Sequence, residues 1–99
     1  MVRQRLVFRG LVQGVGFRWR ASRAARAAGA TGWVRNEADG SVTVELQGTF
    51  SQIDAVIAAL DRGLYIRIEE TERRTIPLET GERDFSVRDD ALSKMGMRT

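Results

Sequence analysis

The alternation of apolar and polar residues at the start of the chain predicts a strand followed by a helix. Residues 3–12 follow a period of two, which puts Leu6 and Phe8 on the same face of a strand. From Phe17 the period changes, because the apolar residues there recur at helical spacing and Gly29 supplies a stop. The chain therefore begins with a β-strand that leads through a glycine-containing stretch into an amphipathic helix.

The next part of the chain predicts a β-hairpin and a second helix. The stretches TGWVRN at 31–36 and SVTVELQG at 41–48 flank the pair Asp39-Gly40, which is a strong hairpin signal. Ser51 has the residue type of a helix N-terminal cap, and the apolar residues after it recur at helical spacing. These signals predict two paired strands and then a helix.

Residues 65–76 alternate weakly between apolar and polar side chains, which predicts a polar strand that ends before Pro77. A further short strand is predicted at 84–88, with Phe85 and Val87 facing inward. The order is then strand, helix, strand, strand, helix, strand, with a short fifth strand at the end.

This order of elements predicts the fold class. It is the plan of an α+β, ferredoxin-like βαββαβ sandwich, in which two helices cover one face of an antiparallel sheet of four to five strands. At 99 residues the chain is the size of one domain. We therefore expect a single domain over residues 1–90 and a loose C-terminal tail over residues 91–99.

The composition excludes several kinds of chemistry. The chain has no cysteine and no histidine, so disulfides, thiolate nucleophiles and imidazole acid–base catalysis are not available to it. The net charge is +3 and the arginines are spread from Arg3 to Arg98, which favours solvated surface charge over a nucleic-acid interface. No apolar run approaches the length of a membrane span and the N-terminus lacks a signal-peptide pattern, so we expect a cytoplasmic protein that does not contact a membrane.

Several conspicuous side chains have a structural interpretation. Trp33 lies inside a predicted strand and is expected to pack in the sheet. Trp19 lies off the apolar stripe of its helix, so the sequence does not decide between packing and ligand contact for it. The acidic pairs at 69–70 and 89–90 lack the further ligands of a calcium loop, which favours solvated charge over a metal site.

The stretch from Gln13 to Arg18, QGVGFR, joins the first predicted strand to the first predicted helix. Glycines here let the backbone adopt positive φ, and the first N–H groups of a helix have no helical acceptor. The N–H groups of the loop and those of the first helical turn can therefore point at one anion. The guanidinium of Arg18 adds a planar fork that binds phosphate oxygens in pairs. From local physics, a phosphate site and a plain turn followed by a solvated arginine explain these residues equally well.

Nucleotide motifs do not account for this loop. The third glycine of a dinucleotide-binding motif is replaced by Trp19, and no Gly-Lys-Ser/Thr triplet follows. Asn36, at the end of the second predicted strand, is expected at the same rim of the sheet, since the third strand is expected beside the first. Its amide offers a donor and an acceptor without charge, which suits holding a water beside a phosphate.

The two segments together resemble a known family. GLVQGVGFR at 10–18, followed by GWVRN at 32–36 and DGSV at 39–42, is similar to the acylphosphatases, and FSVR at 85–88 resembles their last strand. The resemblance implies a small ferredoxin-like enzyme that hydrolyses carboxyl-phosphate anhydrides such as acetyl phosphate, carbamoyl phosphate and 1,3-bisphosphoglycerate. It also implies a monomer whose partner is that small-molecule substrate.

The resemblance assigns a role to each residue of the site. The loop would cradle the phosphoryl group with backbone N–H groups, Arg18 would bind and neutralise it, and Asn36 would orient the attacking water. The leaving carboxylate has a conjugate-acid pKa of about 4, so it needs no general acid, and neither a metal nor a cofactor is expected. The phosphate-binding loop comprises Gln13, Gly14, Val15, Gly16, Phe17 and Arg18.

Two positions depart from the family's pattern. Relatives commonly carry threonine where this chain has Ala21, and a Gly-Pro pair where it has Gly63-Leu64. Neither change touches Arg18 or Asn36, so the departures bear on the rate of the reaction more than on its type.

Three other functions remain as alternatives. An RNA-recognition module carries aromatic residues on its third strand, and SVTVELQG at 41–48 has none. An inactive phosphate-binding relative and a domain of larger carbamoyl-transfer maturation proteins both fit the same motifs. Because cysteine-rich metal modules follow that domain in the larger proteins and this sequence has no cysteine, we expect a free-standing enzyme.

Overall fold

A computed structural model describes residues 1–90 of the chain, so the tail expected over 91–99 lies outside the described residues. The predicted order of elements and the ferredoxin-like fold are confirmed. No helix within the described part is long and apolar enough to cross a membrane. The elements are β1 (Val2–Leu11), α1 (Phe17–Ala28), β2 (Thr31–Asn36), β3 (Val42–Gly48), α2 (Phe50–Asp61), β4 (Arg67–Ile76) and β5 (Phe85–Val87).

The five strands form one sheet in the order β4-β1-β3-β2-β5. The pairs β1–β3, β1–β4 and β2–β3 are antiparallel, whereas β2 and β5 run parallel. The expectation of a purely antiparallel sheet is therefore wrong at this edge. The reason lies in the connection 77–84, which carries the chain from the edge strand β4 to the opposite edge and returns it in the direction of β2.

The hydrophobic core lies between the two helices and one face of the sheet. The alternation predicted for β1 is confirmed, because Leu6 and Phe8 are fully buried. Phe85 of β5 is fully buried, but Val87 is 48% exposed, so the burial expected for an inward-facing Val87 is wrong. A three-residue edge strand has only one position that reaches the core here, and Phe85 takes it.

Helix α2 begins two residues earlier than a cap at Ser51 would place it. Thr49 is the N-cap, its hydroxyl accepts a hydrogen bond from the backbone N–H of Gln52, and the Gln52 side chain accepts one from the Thr49 N–H. This reciprocal pair is a capping box, which satisfies two backbone donors at once. Ser51 instead lies in the first turn of the helix.

The other face of the sheet carries a buried ion-pair network around Arg3, whose side chain is 1% exposed. Its guanidinium donates to Glu45 at 2.9 Å and to Glu82 at 2.8 Å, so it ties β1 to β3 and to the connection 77–84. Burial on its own would raise the pKa of Glu82, but hydrogen bonds from Arg3 and Thr31 outweigh it and the pKa lies below its ordinary value. The network fixes the segment that leads into β5.

Trp33 packs on this same face, as predicted. It is 6% exposed, and the guanidinium groups of three arginines lie within cation–π range of its ring. The nearest of the three is Arg88, at 4.2 Å from the ring centroid. Trp33 therefore has a packing role in the sheet.

Candidate active site

The register of the sheet brings Asn36 to the rim where β1 ends. Asn36 of β2 pairs with Val42 of β3, and Val42 pairs with Phe8 of β1. The three residues form one row across neighbouring strands, and the chain of β1 continues beyond that row into the loop before α1. Asn36 therefore lies beside the 13–18 loop, although the two are far apart in sequence.

A cavity of about 410 Å³ opens at this rim, between the loop, the start of α1 and the ends of β2 and β5. It brings together the two candidate catalytic side chains, Arg18 and Asn36. The residues that line it are Val12, Gly14, Gly16, Phe17, Arg18, Trp19, Ser22, Asn36 and Val87.

The two glycines of the loop adopt left-handed backbone conformations. The φ angle is 73° at Gly14 and 79° at Gly16. A Cβ atom built at either position would meet no atom within 4 Å, so the backbone angle, and not space, requires glycine there. The loop conformation thus depends directly on this pair.

The N-terminus of α1 begins at this cavity. Gly16 is its N-cap, and within residues 1–90 no side chain accepts a hydrogen bond at that cap. The first turn also contains no acidic residue. The first N–H groups of the helix and the positive end of its dipole are therefore available to an anion in the cavity.

Arg18 lies in the first turn of α1, with its side chain 35% exposed. Its Nη1 donates to Oδ1 of Asp90 at 2.7 Å. The sequence favours solvated charge for Asp90, whereas the structure pairs it with Arg18, although Asp90 is not among the residues that line the cavity. No local pattern in the sequence indicates it, because the two residues are 72 positions apart.

Asn36 is 7% exposed and lines the cavity from the β2 side. It ends its strand just before the hairpin turn, where Asp39 accepts hydrogen bonds from the backbone and hydroxyl of Ser41. These two bonds are the largest cause of the lowered pKa of Asp39. The turn therefore holds the end of β2 in a fixed geometry behind Asn36.

Gln13 and Val15 do not line the cavity, unlike the other members of the predicted loop. The side-chain amide of Gln13 donates to the backbone carbonyls of Glu37 at 2.7 Å and Ser41 at 2.9 Å. Val15 is half-buried and packs against the core. These two side chains anchor the loop, one to the hairpin and the other to the core, a division that the sequence did not indicate.

A hydroxyl also lines the cavity, from the position after Ala21. Ala21 itself is fully buried in the core, whereas Ser22 is 8% exposed and lies among the lining residues. The threonine missing at Ala21 is evident from the sequence, whereas a role for Ser22 is not. The one indication in the sequence is that Ser22 lies one position after Ala21, off the apolar stripe of the helix.

The described residues contain no group of three or more acidic side chains placed to hold a metal ion. The acidic residue nearest to the guanidinium of Arg18 is Asp90, which is paired with it. Among residues 1–90, Arg18 is thus the one charged side chain that lines the cavity, and Asp90 contacts it from outside the set of lining residues.

A family model for acylphosphatase matches residues 4–87 of the chain. The chain belongs to the acylphosphatase family. The acylphosphatase of Leuconostoc mesenteroides is 44% identical over 82 residues, which cover 80% of this chain and 89% of that one. The acylphosphatase of Rhizobium etli is 48% identical over 80 residues, which cover 79% of this chain and 84% of the relative.

Solved structures agree with this assignment. The crystal structure of acylphosphatase from Bacillus subtilis superposes with a TM-score of 0.82 at 27% identity, and the match covers 89% of this chain and 99% of that one. The T. kodakarensis HypF structure matches with a TM-score of 0.77 at 29% identity, over 89% of this chain but 12% of that one. The acylphosphatase fold thus occurs both as a small chain and as part of a larger one.

Proposed function

We propose that this acylphosphatase hydrolyses carboxyl-phosphate anhydrides, such as acetyl phosphate, carbamoyl phosphate and 1,3-bisphosphoglycerate, to a carboxylate and inorganic phosphate. The observation that carries the proposal is one cavity that joins Arg18 and Asn36 to an uncapped helix N-terminus. Membership of the family supports the same reaction class. The substrate is a small molecule, and the proposal requires no second chain.

The phosphoryl group binds at the loop. Backbone N–H groups of the 13–17 segment and of the first turn of α1 supply neutral donors, and the guanidinium of Arg18 supplies a charged pair. Each hydrogen bond to a charged group contributes about 1.5–3 kcal/mol when it is shielded from water. These contacts grow stronger as negative charge spreads over the phosphoryl oxygens in the transition state, which is where they accelerate the reaction.

Asn36 positions the attacking water. Its amide oxygen accepts one hydrogen of the water, which leaves a lone pair of the water directed at phosphorus. As the new O–P bond forms, the bond from phosphorus to the carboxylate oxygen breaks, and the carboxylate leaves with the bonding electrons. A phosphoryl oxygen takes the proton from the water, so inorganic phosphate is the second product.

This chemistry needs neither a cofactor nor a metal ion. The leaving carboxylate has a conjugate-acid pKa of about 4, so it departs unprotonated near neutral pH. A loose, metaphosphate-like transition state does not require a strong base, and Arg18 and the helix N-terminus stabilise the negative charge that develops. An ordinary phosphate ester, which expels an alkoxide, would not be hydrolysed at a comparable rate by the same residues.

Hydrolysis of acetyl phosphate in ¹⁸O-labelled water tests this mechanism. Attack of water on phosphorus places the label in inorganic phosphate, and we expect all of it there. Label in acetate would mean attack on the carbonyl carbon and would overturn the proposed role of the loop. The spontaneous reaction without protein, run in parallel, gives the background distribution to subtract.

A further inference from the structure

Trp19 is an exposed aromatic residue at the cavity that holds Arg18 and Asn36. It directly follows Arg18 in the first turn of α1, and 61% of its surface is exposed. A tryptophan with this exposure contributes little to the core, and it does not belong to the core cluster. Trp19 nevertheless lines the cavity, which places an aromatic residue beside the phosphate-binding groups.

The cavity has one polar part and one apolar part. Arg18, Asn36 and the loop glycines form the polar part, whereas Trp19 and Val87 contribute exposed apolar side chains. An acyl phosphate has the same division, with a charged phosphoryl group joined to a carbon substituent. Once the phosphoryl group is at Arg18, the acyl group faces the apolar part.

The apolar surface continues beyond this cavity. Trp19 also lines a second depression of about 290 Å³, together with Val15, Leu64 and Tyr65. Leu64 is 85% exposed and Tyr65 is 72% exposed, and both lie in the loop where relatives carry a Gly-Pro pair. The cavity alone, at about 410 Å³, falls in the range of about 300–1,000 Å³ that holds drug-sized ligands, so it has room for an acyl group larger than acetyl.

The ring of Trp19 contacts a neighbouring arginine on the same helix. The guanidinium of Arg23 stacks on it at 4.9 Å from the ring centroid, one turn further along α1. A cation–π contact of this kind restrains an exposed ring before any ligand arrives. Less rotamer freedom is then lost when an acyl group packs against it.

We propose that Trp19 forms an acyl-group subsite, and that the preferred substrates are acyl phosphates with an uncharged aromatic or bulky aliphatic acyl group. This inference rests on the proposed acyl phosphate hydrolysis and names its substrate class. Stacking of an aromatic acyl group on the indole strengthens binding without changing the phosphoryl contacts. Acetyl phosphate gains nothing from the subsite because its methyl group is too short.

Kinetics with two substrates and matched variants test this subsite. We expect Trp19→Ala to lower kcat/KM for benzoyl phosphate on the order of ten-fold, with a change for acetyl phosphate of about two-fold or less. The ratio of the two losses cancels the different intrinsic reactivity of the substrates. Trp19→Phe should restore most of the benzoyl phosphate activity, because the aromatic face is kept.

Two further measurements separate a subsite from general damage. The inhibition constant of inorganic phosphate should be the same in Trp19→Ala and wild type, since phosphate does not reach the indole. Phe50→Ala is the matched control, because Phe50 is another exposed aromatic residue, 56% exposed, on the other helix. It should leave both substrates unaffected.

Equal losses for benzoyl and acetyl phosphate in Trp19→Ala would overturn the subsite while leaving the proposed hydrolysis standing. An unchanged kcat/KM for both substrates would overturn it in the same way. Failure of the wild-type protein to hydrolyse either substrate would overturn both the proposed function and the subsite. Only the unequal loss, with phosphate inhibition unchanged, supports the inference.

Discussion

The guanidinium of Arg18 is held by the carboxylate of Asp90, with Nη1 at 2.7 Å from Oδ1. The residue proposed to bind the substrate's phosphoryl group is therefore already paired with an anion. The ion pair is partly exposed, with side chains 35% and 32% accessible, so its net strength is modest. A phosphoryl group that binds at Arg18 competes with this carboxylate or shares the guanidinium with it.

Removal of the Asp90 charge should therefore tighten phosphate binding. We expect Asp90→Asn to lower the inhibition constant of inorganic phosphate about 1.4- to five-fold, the effect of losing a competing exposed ion pair of about 0.2–1 kcal/mol. Competitive inhibition of acetyl phosphate hydrolysis gives this constant. Asp89→Asn is the control, because the exposed Asp89 removes the same charge one position away. Weaker phosphate binding in Asp90→Asn would show that the carboxylate positions Arg18 and does not compete with the substrate.

Gln13 joins the phosphate-binding loop to the hairpin that follows Asn36. Its side-chain amide donates to two backbone carbonyls of the hairpin turn, those of Glu37 and Ser41. Without these bonds the loop and the amide of Asn36 lose their fixed separation. A displacement of about 1 Å in a reacting group costs on the order of a hundred-fold in rate. A less rigid contact between the loop and the hairpin should therefore lower kcat.

We expect Gln13→Ala to lower kcat about ten-fold or more, with a smaller change in KM, because the backbone donors to phosphate remain. The matched control is Gln4→Ala. Gln4 is a buried glutamine of β1 whose amide accepts a hydrogen bond from Arg73, away from the cavity. It should lower stability without lowering kcat. A kcat for Gln13→Ala equal to that of the control would mean that the loop keeps its position without this residue.

The Arg3 network should make stability depend on pH in acid. The pKa of Glu82 is lowered in the folded chain from an ordinary value of 4.5. Below about pH 4.5 the unfolded chain therefore binds more protons than the folded one, so stability falls as pH falls and is retained at higher pH. The carboxylates of Glu37, Asp39 and Asp84 have lowered pKa values too, so Glu82 accounts for part of the fall.

Glu82→Gln should lower the free energy of unfolding at pH 7 by about 1 kcal/mol, because a partly exposed charged hydrogen bond to Arg3 is lost. The same variant should lose less stability between pH 5 and pH 3 than the wild type does, because it lacks a carboxylate whose pKa is lowered by folding. Denaturant unfolding at a series of pH values measures both effects. Glu70→Gln, at an exposed position of β4, is the control. Parallel pH profiles for the two variants would contradict the role given to Glu82.

Much of the fold follows from local sequence patterns. The period of two in β1 and the helical spacing after Phe17 gave both elements to within one or two residues. The pairing of β5 did not follow, because a three-residue strand carries too few positions to specify a partner. The cap of α2 was misplaced because Ser51 and Thr49 both have suitable side chains, and the glutamine at Gln52 favours Thr49.

The candidate site was predictable where its residues are adjacent in sequence. The glycines and Arg18 form one short motif, and Asn36 follows from the strand order. The contacts of Asp90 and the Gln13 side chain join segments far apart in the chain, and no periodicity indicates them. Such contacts depend on how the loops pack on the finished fold.

The most direct test of this account is hydrolysis of acetyl phosphate by the purified protein in excess chelator, compared with two variants. We expect turnover that survives the chelator, a loss of most activity in Arg18→Lys because the planar fork is gone, and a fall in kcat for Asn36→Ala larger than any change in phosphate affinity. Circular dichroism would establish that both variants are folded. Wild-type turnover in both variants, or no turnover above the spontaneous rate in the wild-type protein, would contradict the account.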